Sequence, residues 1–244
     1  MIALTEEFVE SCPVEGGIRM RGMEMTRIEV FVDAAFAFSV TMLVISFDAI
    51  PTSFAAMIVA IKGIPAFIAA VAQLMWIWHT HNKWSKRFGL DDAITVVLST
   101  SLLVVVLIYI YPLRVMAQGM FSWFTNGFLP ANFQMGSQEL SAMFVFLGIG
   151  FMALCIVFIL MYRYAASRKD ELRLSEAELH EVRSVELVWS GVAVIGLISI
   201  ILARALPLAY VPFSGFAFML IAAWVPWIRM RRNNSSPERK ENEK

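Results

Sequence analysis

Asp33, His79 and His81 are the residues best placed to do chemistry, because each stands in or beside a long apolar run. An ionisable side chain at membrane depth is costly, so it marks a site by default. Asp33 lies about one and a half turns into the first apolar block, after Arg27. It reads either as an interfacial anchor or as part of a packing network with polar partners on other helices. His79 and His81 close the second block, next to Asn82 and Lys83. Positions i and i+2 lie about 200° apart on a helix. No Cys, Asp or Glu stands at ligand spacing, so the pair does not read as a metal centre. No nucleophile–base pair, Gly-rich phosphate loop or intramembrane carboxylate pair is present, so neither an enzyme nor a cofactor is expected. Lys62 can snorkel outward from its helix.

One further set is defined by spacing. Phe38, Met42 and Ile45 recur at i, i+4 and i+7, with Thr41 beside them. That puts them on one helix face. In a soluble protein such a stripe is core. Around the axis of identical subunits it forms stacked apolar rings, and such constrictions gate pores by dewetting. Spacing alone leaves both readings open.

The elements that must position these residues are membrane helices. Of 244 residues, 59% are hydrophobic and 16% charged, with a mean hydropathy of +0.68. A soluble domain of this size carries more charge. The net charge is zero, so bulk attraction to nucleic acid is not indicated. Cys12 and Cys155 make no disulfide framework. The N-terminal region holds Glu6, Glu7, Glu10 and Glu15 without a basic run before an apolar core, unlike a cleaved signal peptide.

A spanning helix needs roughly 20 mostly apolar residues. Six blocks qualify: Ile28–Phe47, Phe54–His79, Ala93–Leu113, Leu140–Tyr162, Leu187–Ala203 and Ala205–Trp227. The last two form a tight hairpin at Arg204 and Pro207. All but three of the 20 Lys and Arg fall in the N-terminal segment, the loops after blocks two and four, and the C-terminal tail. The exceptions are Lys62, Arg114 and Arg204. This alternation predicts cytoplasmic termini. Trp76, Trp78 and Trp84 fit an interfacial belt, as do Trp224 and Trp227. Asp170–Arg183 reads as a short amphipathic helix, with capping-box spacing at Ser175 and Glu178. Residues 117–137 read as an aromatic outer loop, and Phe158 is expected to face lipid. The fold class is all-α: an integral membrane six-helix bundle. Its parts are a cytoplasmic N-terminal tail (1–26), the six-helix domain (27–230) and a disordered tail (231–244).

The run Arg27-Ile-Glu-Val-Phe31-Val-Asp33 resembles the R-x-x-x-F-S-D signature that opens helix one of the transmembrane protein 175 family, lysosomal and bacterial cation channels. Thr41 falls in a run resembling A-I-x-x-T-L-L. Trp76-Ile-Trp-His79 resembles the family's W-x-x-H at the end of helix two, and Leu102–Leu113 looks like its third helix. The resemblance covers residues 19–230. It implies a single-repeat bacterial member in the inner membrane, permeable to potassium or other monovalent cations. It also implies a homotetramer around helix one, constricted at Phe38, Thr41, Met42 and Ile45. Arg27, Phe31, Asp33, Trp76, His79 and Asn82 would form the signature network. The sequence departs from the family at Val32, which replaces the signature serine, and at Phe38, where a branched aliphatic is usual. Four Phe rings could close a pore or present their faces to a cation. The alternatives are a non-conducting scaffold of the same fold and a small-molecule transporter. The lack of an obvious internal repeat with broken helices counts against the transporter.

Overall fold

The computed structural model describes residues 4–45, 51–131, 133 and 135–233. In chain order the elements are α1 (Glu6–Ser11), the two-stranded hairpin β1 (Val14–Glu15) and β2 (Ile18–Arg19), α2 (Arg27–Ile45), α3 (Phe54–Lys62) and α4 (Ile64–Phe88). Next come α5 (Ala93–Phe124), α6 (Ser137–Ser167), α7 (Lys169–Leu172) and α8 (Glu176–Ala205). A 3-10 helix over Leu208–Met219 leads into α9 (Leu220–Asn233). Among the described residues, five helical segments are long and apolar enough to cross a membrane. They are Phe54–Phe88, Ala93–Phe124, Ser137–Ser167, Glu176–Ala205 and Leu208–Ile228. The first apolar block gives α2, and its last two residues, Ser46 and Phe47, lie outside the described residues.

The helices are longer than their apolar cores. Block two continues past His79 to Phe88, because the polar-looking turns beyond His79 still bury one face. Trp84 is fully buried there and its indole Nε1 donates to the Met161 carbonyl at 3.0 Å. Gly89, at φ 59°, ends the helix in the left-handed region. At the other end of the block Gly63 divides α3 from α4, two residues before Pro65. Proline has no N–H to donate to the preceding turn. Block three runs on to Phe124, so the expected loop at 117–137 is helical over its first residues. Arg114 is buried inside this helix and donates to the Leu43 carbonyl at the end of α2. Lys62 lies with its Nζ 4.3 Å from the centre of the Phe128 ring in the remaining loop.

Two expected pieces merge. The amphipathic helix expected at Asp170–Arg183 is not separate. Ser175 and Glu178 do form a capping box, and it starts the continuous helix α8. Block six begins as 3-10 helix where Pro207 and Pro212 interrupt the donors, and turns α-helical from Leu220. The expected hairpin between blocks five and six is present at Leu206–Pro207. Helix α9 extends through Asn233, into the stretch assigned to the tail; residues 234–244 lie outside the described residues. Phe158 faces the core, not lipid: it is fully buried and stacks on Trp189 at 4.6 Å.

Helix α6 makes its most extensive contact with α8, while α2 packs on α4 and α5. Gly148 and Gly196 allow the close approach of α6 and α8, since a Cβ on either would press on side chains of the partner helix. The start of α2, the ends of α4 and α6 and the start of α8 meet at one end of the bundle. That end holds the ion pairs of Arg21 with Glu178, Arg87 with Glu181 and Arg163 with Glu186. The N-terminal residues reach the same end. Gly22 donates to the Lys86 carbonyl at 2.9 Å and lies against Gly89. A Cβ at Gly22 would meet the Ser85 carbonyl oxygen at 2.5 Å and the Gly89 Cα at 2.8 Å. Both neighbours are backbone and cannot swing aside. Gly22→Ala is therefore expected to cost about 1–3 kcal/mol through overpacking, measured as a lower thermal midpoint in detergent. An unchanged midpoint would show that the two backbones are not in contact there.

Candidate functional site

Helix α2 presents two unlike faces. Val32, Phe36, Ser39 and Leu43 are buried at i, i+4, i+7 and i+11, against α4 and α5. The opposite face carries Phe31, Ala34, Ala37, Phe38, Thr41 and Val44, all exposed. Phe38 is 57% exposed and Phe31 59%. A stripe this apolar, left open along the length of one helix, implies a further partner or a lipid or pore surface. Of the residues singled out from spacing, Phe38 and Thr41 lie on the open face. Met42 is half-buried at its edge, and the side chain of Ile45 lies outside the described residues. Thr41 donates its hydroxyl to the Ala37 carbonyl one turn back at 3.2 Å. Its oxygen lone pairs remain to accept from outside the helix.

The signature residues fall on two sides of α4, and on α2 Phe31 is exposed while Asp33 faces α4. Arg27 is exposed at the first turn. Asp33 is half-buried, and its Oδ1 accepts a hydrogen bond from Trp78 Nε1 at 2.7 Å. Trp78 adjoins His79 in the second helix, the neighbourhood in which a polar partner of Asp33 is expected. His79 itself is exposed, Asn82 half-buried, and Trp76 turns its ring toward Trp189 at 5.3 Å. The second imidazole, His81, is the buried one, with its Nε2 3.0 Å from Ser99 Oγ on α5. Nearer the helix start, Ser85 donates to Glu29, which also accepts from the Thr26 N–H at 3.2 Å. Thr26 and Glu29 thus cap α2 reciprocally, since Thr26 Oγ1 accepts from the Glu29 N–H.

Two W-x-x-H patterns interleave in this helix. Trp76 and His79 share a face with Lys83 and Lys86, whereas Trp78 and His81 share one with Ser85. The first face is exposed at all four positions. The second meets α2 and α5. The two lysines were the signal that could have separated the patterns, because a face bearing them is not one that packs inside the bundle. Trp78 and Trp84 turn their rings into the bundle, half-buried and fully buried respectively. Val32 takes no part in the polar network: it is fully buried among apolar neighbours.

No family model matches the chain. It is 34% identical over 170 residues to a potassium channel of Marivirga tractuosa, covering 67% of this chain and 68% of that one. The chain belongs to the TMEM175 family. The structure agrees: it superposes on a crystal structure of the potassium channel MtTMEM175, a threonine-to-alanine variant in complex with a nanobody–MBP fusion. The TM-score is 0.78 at 28% identity, over 91% of this chain and 99% of that one. A lysosomal potassium-selective channel TMEM175 homolog from Chamaesiphon minutus shares the fold, with a TM-score of 0.55 at 20% identity, covering 83% and 96%. This TMEM175-family chain is a multi-pass membrane protein, as its apolar helices require.

The Asp33–Trp78 bond joins α2 to α4 within the bundle. Trp78→Phe keeps an aromatic ring, though a smaller one, and removes the side chain's one N–H donor. Leaving a carboxylate at that depth without its donor costs about 1–3 kcal/mol. The variant is expected to lower the thermal midpoint, and Asp33→Asn in the same background to recover part of the loss, because an uncharged amide is cheaper to leave unpaired. Equal midpoints for Trp78→Phe and the native protein would remove Asp33–Trp78 as a stabilising contact.

Proposed function

We propose that this protein is a potassium-permeable, weakly selective cation channel. It assembles as a homotetramer around α2, which contributes a hydrophobic constriction at Phe38, Thr41, Met42 and Ile45. The observation that carries this reading is the apolar face of α2, which is buried on one side and, among the described residues, exposed on the other. The potassium-channel relatives support the same function class. Six spans are proposed, with α2 the first. Both termini are assigned to the cytoplasm of a bacterial inner membrane. The gathering of Arg21, Arg87, Arg163 and Arg168 at one end of the bundle supports this orientation. Arg27, Phe31 and Asp33 are proposed as the signature residues on α2, with Trp78 and His81 as their partners on α4.

An apolar ring offers an ion no replacement for its hydration shell, so the narrowest point sets the barrier. Phe38 is the bulkiest side chain on the open face near the middle of α2. Phe38→Ala is expected to raise potassium flux into proteoliposomes by about tenfold, equivalent to ~1.4 kcal/mol of barrier, and to reduce discrimination against sodium. Ile149→Ala, at an exposed position on α6, is expected to change neither. If Phe38→Ala passes no more potassium than the native protein, and Cys placed at Met42 does not crosslink across the axis, α2 is not the pore and the scaffold reading takes its place.

The orientation has a separate test. In a background without Cys12 and Cys155, a cysteine at Ser137 should be labelled from outside and one at Asn234 from inside. Labelling of both from one side would overturn the three crossings between them and the orientation of the termini assigned here.

A further inference from the structure

We infer that Arg21 and Glu178 form a clamp that holds the cytoplasmic start of α2 away from the pore axis, which makes Arg21 a positioning residue for conduction. The inference rests on the reading of α2 as pore-lining. The chain before α2 is not a free tail. It crosses the end of the bundle as a strap. At its beginning the Leu4 N–H donates to the Glu171 carbonyl at 3.0 Å, and Arg173 Nε donates to the Leu4 carbonyl at 2.9 Å. At its end the Arg21 and Gly22 N–H groups donate to the carbonyls of Arg87 and Lys86 at the close of α4. Only Met23–Thr26 separate Gly22 from the first turn of α2.

Arg21 is the fixed point of the strap. It is 6% exposed, and each of its five N–H groups has an acceptor. Nε donates to the Leu172 carbonyl at 2.8 Å. Nη1 donates to the Arg19 carbonyl at 3.2 Å and to Glu178 Oε1 at 2.8 Å. Nη2 donates to the Arg173 carbonyl at 3.2 Å and to Glu178 Oε2 at 2.9 Å. Glu178 is occupied as fully. It accepts from the Arg19 N–H at 3.0 Å and from the Ser175 N–H at 2.9 Å, which closes the capping box of α8. Lysine has three donors on a point charge and cannot reproduce a five-bonded fork.

The direction of the pull follows from the packing. Helix α2 packs on α4 and α5, whereas α8 packs on α6, on the 3-10 segment and on α9. The strap therefore runs from the helix on the proposed axis to an outer layer of the same subunit. Helix α2 does not need it to form, since Thr26 and Glu29 cap it locally and α4 and α5 bury its inner face. What the clamp adds is a tether. Without it, the apolar stripe of Phe31, Ala34 and Phe38 is free to collapse onto its copies across the axis and expel water there.

The test uses the full-length tetramer in liposomes, with Arg21→Gln, Arg21→Lys and Glu178→Gln. Two quantities are read: potassium flux per assembled tetramer, and the rate of disulfide formation across the axis between cysteines introduced by Phe31→Cys. Release of the clamp is expected to lower flux by about fivefold or more, the scale of a modest coupling between sites, and to speed crosslinking. Arg21→Lys should behave like Arg21→Gln. Variants that assemble, conduct within about twofold of native and crosslink at the native rate would overturn the clamp. So would failure of all three variants to assemble, which would make the pair a folding element. If the unmutated protein passes no potassium, the channel reading fails by itself, and the crosslinking rate still decides whether the clamp positions α2.

Discussion

A carboxylate set among apolar helices must find a donor or lose its charge, and the bond from Trp78 to Asp33 answers that requirement for α2. The bond also fixes the rotation of α2. With Asp33 turned toward α4, Val32, Phe36, Ser39 and Leu43 turn inward with it, and Phe31, Phe38 and Thr41 are left outward. The face on which a pore could be built is thus decided by where the charge is satisfied. Glu29 with Ser85 adds a second polar contact between α2 and α4, so the inner side of α2 is specified at two levels, and His81 with Ser99 joins α4 to α5 beside them.

The rest of the bundle is joined by a repeated device. Side-chain donors reach backbone carbonyls on neighbouring helices: Trp84 to Met161, Ser141 to Ala203, Ser199 to Ser214 and Trp224 to Val188. In a bilayer the apolar surfaces of helices gain little from meeting each other in place of lipid, so packing and such hydrogen bonds carry association. Glycines serve the same end. Gly191 leaves room for the Trp224 indole, and Gly148 for Ile200. Arg114 uses the device at the far end of α2, where it takes the Leu43 carbonyl. Helix α2 is therefore held at both ends by guanidinium groups: through the strap at its start, and directly at its finish.

How much of this was legible depends on which physical signal each feature leaves in sequence. Block length and the distribution of Lys and Arg marked the apolar segments and the end at which charge gathers, because hydrophobic thickness and charge bias act on composition alone. The capping box at Ser175 was legible because two residues three apart suffice to make it. Helix ends were not. Trp84, Ser85, Arg87 and Phe88 look like a departing loop, yet they are buried under contacts from residues far away in sequence. The choice between Trp76 and Trp78 failed for a different reason: spacing is blind to rotation when two patterns interleave, and only the side on which lysines fall distinguishes them. In sequence Arg21 is one more basic residue of the N-terminal segment. Its partner Glu178 lies 157 residues away, a distance over which no local pattern carries information.

The open face of α2 also constrains what kind of barrier the proposed channel has. Thr41 lies three residues after Phe38 on the same face, and its hydroxyl hydrogen is committed to Ala37. Outward from the helix it therefore offers lone pairs, which suit a cation and not an anion. Phe38 offers either a ring edge or a ring face, and these have opposite signs of charge toward an ion. With the edges inward, four rings would repel a cation and exclude its water; with the faces inward, they would attract it while still dehydrating it. Ala34 and Ala37, exposed in the turn before Phe38, are small and leave room on that side of its ring. In such a site ring orientation would act on the barrier together with the bore. A shift in how closely α2 approaches its copies changes the room for ring rotation, which links the position of the helix start to the state of the proposed constriction about three turns further along.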